Sequence, residues 1–574
     1  MTMRTILLSC AFTFLGTLSL SAATLEASTK QAVYLGTTCT RLSIVSGSGK
    51  TSYVSGVIDD PTDPAATEGV WFNAPTGSTL TFTSSKTSVV KVSDITCEEI
   101  EDGLFAVRIK PTGVGLSTIK VKLSGATDYT IEYAASRASS TPQQTTWLQG
   151  CSDASAMASV GDGYFFVADD EGNNMFLYDS TLSGMPLKTI DASGFANGSE
   201  EYDVEGATVS DDGTTIYWIT SLANSKNGKS KPDRNRAFST KISGSGATAT
   251  LTSGAYSEKF RDAMIAFGDA NGWDFTASAS TSNKMIPKRI DGFNVEGLTL
   301  KTNGNGAAYI GFRAPCVPKK GVTPTSSNRK YAVMATVTNF VSLLSGSGKS
   351  STAPQVDNAN PILFDFDGLG IRSIERVGSY YVIVAGLFEG GGTPKAYLWD
   401  GTTNANSDPI TTDGGHLIDM NLPMSDLGGD FGHPEALIAS QDDNQLVVSM
   451  ICDNGSDDMY NNGKENKTFS ADSKKAPWSK FRLDTFVYTL PEETGITSVT
   501  SLSPDFRYNV SGSTLYLSGL TPGTPVTITT IDGKTIANAI AQGTTCTLQL
   551  PHPDATYIVR VGTHSVKLVQ AINQ

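Results

Sequence analysis

Histidine is nearly missing from this chain: there are four among 574 residues, and only His416 and His433 precede residue 494. Two histidines cannot build a zinc centre of the familiar kind. Cysteine is scarce as well. The six beyond the first 23 residues (Cys39, Cys97, Cys151, Cys316, Cys452 and Cys546) follow no zinc-ligand spacing. Export permits disulfides, and Cys39 with Cys97 could staple one domain, but spacing does not choose among the fifteen full pairings. There is no GxSxG elbow, no P-loop and no HExxH motif. Positive charge is in deficit, with 43 Lys and Arg against 57 Asp and Glu and a net charge of −14. That balance disfavours nucleic acid as a partner and suits solubility or cation binding. After residue 23 no run is apolar enough to span a bilayer.

What is present begins with MTMRTILLSCAFTFLGTLSLSAA, residues 1–23: one Arg4, an apolar run and a small-residue exit at Ser21-Ala22-Ala23. This is the pattern of a secretory signal peptide, so the expected mature chain is exported, with no transmembrane segment left after its removal. Glycine is plentiful (56), and short β-rich runs broken by Gly, Asn and Asp predict an all-β, multidomain protein. Residues 30–137 hold seven candidate strands, AVYLG, TSYVSGV, TLTFTSS, VVKVSDI, LFAVRIKP, STIKVKLS and YTIEYAAS, which predict an immunoglobulin-like sandwich. Its loop Asp59-Asp60-Pro61-Thr62-Asp63-Pro64 offers three carboxylates for Ca²⁺, although a solvated acidic turn is the favoured reading. Residues 494–574 alternate in short strands with turns at Pro522-Gly523 and Asp532-Gly533, predicting a small β-sandwich.

Between residues 145 and 490 one pattern recurs. Asp203-Val204-Glu205-Gly206-Ala207, Asn294-Val295-Glu296-Gly297-Leu298 and His433-Pro434-Glu435-Ala436-Leu437 each lead to a tight turn and a second strand. The turn's second residue falls eight or nine positions after the glutamate. Weaker copies begin at Asp153-Ala154-Ser155 and Gly370-Ile371-Arg372. Radial repetition of this kind predicts a β-propeller of five or six blades, whose first strands line a central channel. Ser155, Glu205, Glu296, Arg372 and Glu435 should then form one ring. A lone carboxylate in FNVEGLTL would thus face a polar channel, with the small residue after it letting neighbouring inner strands approach. Three carboxylates near one arginine call for a balancing cation, a further basic residue or a held proton. Glu205, Glu296 and Glu435 are accordingly the candidate catalytic groups and candidate metal ligands, for a divalent cation such as Ca²⁺. Arg313 at the exit of a second strand, Arg372, and Lys229 and Arg236 of a polar, basic loop are the candidate ligand-binding residues. Asp453 leaves another second strand.

Two resemblances add to this reading. The strand Val526–Ile531 running into Asp532-Gly533-Lys534, then Ala555–Val561 and Val566–Val569, resembles the type A sorting domain of the type IX secretion system of Bacteroidetes. That resemblance implies the secretion machinery as a partner, passage through the periplasm and outer membrane, and a place at the cell surface or outside the cell. In the middle segment, Asp203-Val204-Glu205-Gly206, Tyr217-Trp218-Ile219, Asn227-Gly228-Lys229, Arg234–Phe238, Asn294–Leu298, Ile310-Gly311-Phe312-Arg313, Gly368–Arg372 and Tyr397-Leu398-Trp399-Asp400-Gly401 together resemble the domain-of-unknown-function family 3616. More distantly, the Glu-Gly motifs look like propellers labelled as having the esterase-like activity of phytase. Ser221-Leu222-Ala223 stands where a histidine-containing loop is expected, and Ala436 where glycine is usual. The first family implies a propeller; the second hints at a hydrolase acting on phosphoesters. The alternative expectation is a non-catalytic surface propeller that binds a glycan, a protein or a small ligand.

Overall fold

The computed structural model describes residues 23–27, 40–46, 51–53, 68–109, 112–113, 115–135, 144–181, 184–281, 286–389, 392–424, 433–469, 478–490, 507–511, 514–530, 534–551, 557–562 and 564–568. The expected signal peptide up to residue 22, the acidic loop 59–64, Cys39 and the turn 532–533 lie outside them. The described residues build an all-β architecture of nine sheets, each of three to five strands. No helix among them is long and apolar enough to cross a membrane. The chain divides into two compact units, residues 1–441 with 447–488, and residues 442–446 with 489–574.

The first unit opens with two facing sheets. One carries Glu26–Ala27, Glu68–Asn73, Leu104–Ile109 and Ile95–Glu101; the other carries Thr51–Tyr53, Thr40–Ser46, Tyr129–Ala135, Gly115–Lys122 and Thr81–Ser84. Alternating residues meet between them: Val70, Phe72, Val107 and Ile109 against Ile119, Val121, Ile131 and Tyr133. The run VVKVSDI is not a strand. Val89 and Val90 are both fully buried, and adjacent residues of a strand cannot face the same side. Their amides instead fold back onto the Lys86 carbonyl, Val92–Asp94 makes a 3₁₀ turn, and the strand begins at Ile95.

Residues 144–489 form five further sheets in a propeller-like succession. The first holds Ala154–Ser159, Tyr164–Asp169, Asn174–Asp179 and Lys188–Asp191. The second holds Val204–Val209, Thr215–Thr220, Ala237–Ser243 and Thr250–Ser257, with the parallel pair Gly348–Lys349 at its edge. The third holds Asn294–Leu300, Ala308–Ala314, Ala332–Val337 and Ile362–Phe364; the fourth holds Gly370–Val377, Tyr380–Gly386, Lys395–Trp399 and Leu417–Asp419. The fifth joins His433–Asp442, Gln445–Asp453 and Lys480–Thr489 to Gln144–Gln149, a strand from some 300 residues earlier in the chain.

Apolar layers lie between successive sheets. Phe166 and Leu177 meet Ile216 and Trp218; Ile219 meets Leu298 and Ile310; Tyr309 and Met334 meet Ile371 and Trp399. Phe165 and Tyr178 of the first sheet meet Ile451 and Phe481 of the fifth. Strands covered on both faces read as continuous apolar runs, and TIYWIT and AYIGFRA are buried along their whole length. Helices at Phe260–Ala270 and Phe275–Ser278 seat Phe267, Trp273 and Phe275 against Phe293 and Phe312.

The second unit is a small sandwich. Arg507–Ser511, Thr514–Ser518 and Thr545–Gln549 form one sheet, and Thr535–Ile540, Pro525–Thr530, Tyr557–Val561 and His564–Leu568 the other. Leu515 and Leu517 pack with Val526, Ile528, Tyr557 and Val559 in its core.

Candidate functional site

The same irregularity marks the inner strand of the first four sheets. Pairing steps from Ala154 to Ala156, from Val204 to Gly206, from Val295 to Gly297 and from Ile371 to Ser373 while the partner strand advances by one residue. The residues passed over are Ser155, Glu205, Glu296 and Arg372. A β-bulge frees one residue from the ladder and re-aims its side chain, so the repeated motif carries a repeated bulge at the ring position. The small residue after it is needed for space. A Cβ on Gly206 would lie 2.9 Å from the Glu296 carbonyl, and one on Gly297 would lie 2.9 Å from Ile371 Cγ2.

The bulged Glu205, Glu296 and Arg372 converge with Glu435. Carboxylate oxygens of Glu205, Glu296 and Glu435 lie within 4.8 Å of one another. Arg313 Nη1 donates to Glu296 Oε1 at 2.5 Å, and its Nε donates to the Phe388 carbonyl at 2.9 Å. Asn294 Nδ2 also donates to Glu296 Oε1, at 3.3 Å. Arg372 Nε lies 3.0 Å from Glu296 Oε2, and Arg372 Nη2 donates to Glu435 Oε1. Two guanidinium groups thereby bind two carboxylates across the third, fourth and fifth sheets. Ser155 is spent on backbone, its Oγ donating to Val204 O at 2.5 Å and lying 3.2 Å from Ala168 O.

Glu205 is treated differently. It is 8% exposed, and among the described residues its carboxylate has neither an ion pair nor a hydrogen bond. It also belongs to a second triad, with Asp170 and Asp203, whose oxygens again lie within 4.8 Å. Asp203 Oδ2 accepts from Arg234 Nη1 at 2.7 Å, and Arg234 also pairs with Glu201. Asp203 adopts a positive φ of 56°, a conformation that Asp tolerates better than most residues. Asp170 retains some exposed surface, yet its Oδ1 is buried without a partner.

Burial dominates the electrostatics. It pushes Glu205 well above the usual carboxylate range, with Glu296, Asp203 and Glu435 adding repulsion. Asp170 moves the same way, through burial and then Asp453, Glu205 and Asp203. Burial raises Glu435 to about 8 against the opposing pull of Arg372, and raises Asp153 to about 7 with help from Asp453. For Arg313 burial favours loss of the proton, but Glu296 and Glu435 outweigh it and hold the guanidinium charged.

Arg313 and Arg372 are thus brought to the glutamates, whereas Lys229 and Arg236 are not. Lys229 is exposed on the loop, and Arg236 is buried against Asp233, at 2.8 Å, and the Tyr202 ring. The basic loop reaches the acidic cluster through Arg234 instead. The side chain of His433 lies outside the described residues. Asp170, Asp203 and Arg234 were not among the site residues expected from sequence. Asp170 leaves a second strand, as Arg313 and Asp453 do, and that shared position was the signal available. The all-oxygen donor set of both triads can coordinate a divalent cation.

No family model matches the chain, neither family 3616 nor a sorting domain among them, and no curated protein matches it. Similar solved structures include glutaminyl cyclase of Myxococcus xanthus, with 10% identity, a TM-score of 0.29, and coverage of 61% of this chain and 97% of that one. PorZ, a surface component of the type IX secretion system of Porphyromonas gingivalis, has 11% identity and a TM-score of 0.22. The alignment covers 91% of this chain and 61% of that one. The aldose sugar dehydrogenase of Streptomyces coelicolor has 10% identity and a TM-score of 0.27, covering 60% of this chain and 100% of that one. These likenesses are weak, and at such values they assign no activity or partner to this chain.

Proposed function

We propose that this chain is an exported, cell-surface protein whose residues 144–489 close into a five-bladed β-propeller, and that the propeller's channel binds a divalent cation and hydrolyses phosphoesters. Closure is supported by the pairing of Gln144–Gln149 with Lys480–Thr489, which puts the two ends of the segment in one sheet. The observation that carries the site is Glu205, a residue only 8% exposed whose carboxylate makes no ion pair or hydrogen bond among the described residues, where two triads meet. Burying a charge in that way costs several kcal/mol, a cost a ligand offsets. A divalent cation there would polarise a phosphoryl oxygen and neutralise charge on it. Glu296 and Glu435, each fixed by a guanidinium, stand ready as acid/base groups beside it. Arg313 and Arg372 keep positive charge within reach of an anionic substrate.

One observation favours the second reading, a non-catalytic propeller that binds a glycan, protein or small ligand. Both arginines are already engaged by carboxylates, as a clasp across three sheets would be. The deciding experiment is turnover of phosphate mono- and diesters by the purified full chain with added Ca²⁺, Mg²⁺ or Mn²⁺. Hydrolysis that disappears in Glu205→Gln supports the enzyme. No turnover with any ester and cation leaves the binding reading. Export rests on the signal-peptide and sorting-domain patterns: deleting residues 494–574 should strand the protein in the periplasm with the propeller folded. Surface delivery of the truncated protein would overturn it. Closure predicts one melting transition for residues 144–490 alone, and two separate transitions would contradict it.

A further inference from the structure

Resting on the channel-site reading above, we propose that the cation is calcium-like and is held by Asp170, Asp203 and Glu205, not by the triad of Glu205, Glu296 and Glu435. The two triads share Glu205 but differ in what already occupies their oxygens. Glu296 receives Arg313 at 2.5 Å and Arg372 at 3.0 Å, and Glu435 receives Arg372. A cation placed among those three glutamates would sit against two guanidinium groups and would have to displace them. On the other side the only cationic group in direct contact, among the described residues, is Arg234, which divides itself between Asp203 and Glu201.

Two unpartnered groups point into this second triad. Glu205 is more than nine-tenths buried with no hydrogen bond or ion pair, and Asp170 Oδ1 is buried with none. The ligands come from two neighbouring sheets, at the exit of the strand Tyr164–Asp169 and at the bulge of Val204–Val209, so the site joins elements the backbone already holds together.

The donor chemistry selects the ion. All the ligands are carboxylate oxygens, with no imidazole or thiolate, which favours a hard cation over zinc or copper. Oxygens that all lie within 4.8 Å of one another can share one hard cation, and an all-carboxylate set suits the flexible, protein-rich shell of Ca²⁺. Magnesium demands a tighter octahedron with bonds of about 2.0–2.1 Å and sheds water reluctantly.

The test is calorimetric titration of the full-length protein, stripped with chelator, with CaCl₂ and separately with MgCl₂. Thermal melts with and without Ca²⁺ accompany it. The expected result is Ca²⁺ binding that raises the melting temperature and exceeds Mg²⁺ affinity. Asp170→Asn, Asp203→Asn and Glu205→Gln should each weaken it by about tenfold or more, because affinity follows ligand charge. Glu296→Gln and Glu435→Gln should change it much less. Should the Asn variants fail to fold, Arg234→Met decides, because removing the competing guanidinium should tighten Ca²⁺ binding. Loss of binding in Glu296→Gln or Glu435→Gln to the same degree as in Asp170→Asn would overturn the placement, as would a wild-type protein that takes up no Ca²⁺. Ca²⁺ binding without ester turnover would sink the hydrolase and leave this site standing.

Discussion

On one side of Glu205 the protein supplies its own counter-charge; on the other it leaves carboxylates short of it. Glu296 and Glu435 are ion-paired by Arg313 and Arg372, although Glu296 Oε2, Glu435 Oε2 and Arg372 Nη1 lack a hydrogen bond. Of Asp170, Asp203 and Glu205 only Glu205 is a bulge residue, and the arginine in contact with the three, Arg234, pairs with Asp203 and is shared with Glu201. One cluster thus holds a clasp in one direction and carboxylates with little counter-charge in the other. Proximity of acidic residues does not separate these outcomes; the inventory of guanidinium groups does.

The sharpest way to break that comparison is to remove the clasp. Arg372→Met leaves Glu296 and Glu435 buried with a single remaining guanidinium and should cost about 3–5 kcal/mol in urea denaturation. Arg234→Met, on the open side, should cost less. Next in size is the contrast between two neutralised glutamates in metal-free buffer. Glu296→Gln gives up charged hydrogen bonds worth about 1.5–3 kcal/mol. Glu205→Gln breaks none and should leave stability unchanged or raise it. Equal losses from the two would erase the distinction. Gly206→Ala comes third. Its methyl would press on the Glu296 carbonyl, at 2.9 Å, where both neighbourhoods share a wall, and about 1–3 kcal/mol of overpacking is expected.

The smallest effect serves as a background control. Glu375 shares a strand with Arg372, outside the cluster, and burial raises its carboxyl to about 8. The folded state thus holds its proton more tightly than the unfolded chain does. The stability it contributes is complete below the unfolded value near 4.5 and is lost as pH rises through about 8. Glu375→Gln should flatten that part of the melting-temperature profile between pH 5 and 9. Its partial exposure keeps the change modest.

Much of this was legible in the chain. The repeat of Glu-Gly or Glu-Ala before a tight turn placed Glu205, Glu296 and Glu435 together, and alternating strands gave both end sandwiches. Arg313 and Arg372 could be read from strand position. Other features could not be read so directly. Phe260, Met264 and Phe267 stand at helical spacing, but an eleven-residue helix among dozens of strands is easily passed over. Asp169-Asp170 reads as a polar turn until the strand before it is seen to point at Glu205. The salt-bridge partners of the basic loop are set by tertiary distance, so Arg234 cannot be told from Arg236 by sequence alone. The sheet-closing strand Gln144–Gln149 depends on a partner more than three hundred residues away.

The repeated bulge has a consequence for how such a molecule changes over time. Because Ser155, Glu205, Glu296 and Arg372 are each the residue their ladder skips, none of them takes part in the pairing that sets its sheet's register. A serine, an arginine and two glutamates already occupy equivalent places on near-identical backbones. These positions behave like interchangeable sockets. Selection, or a designer, can exchange what they hold and move the chemistry toward anion, cation or neutral ligand while the strands around them keep their sequence.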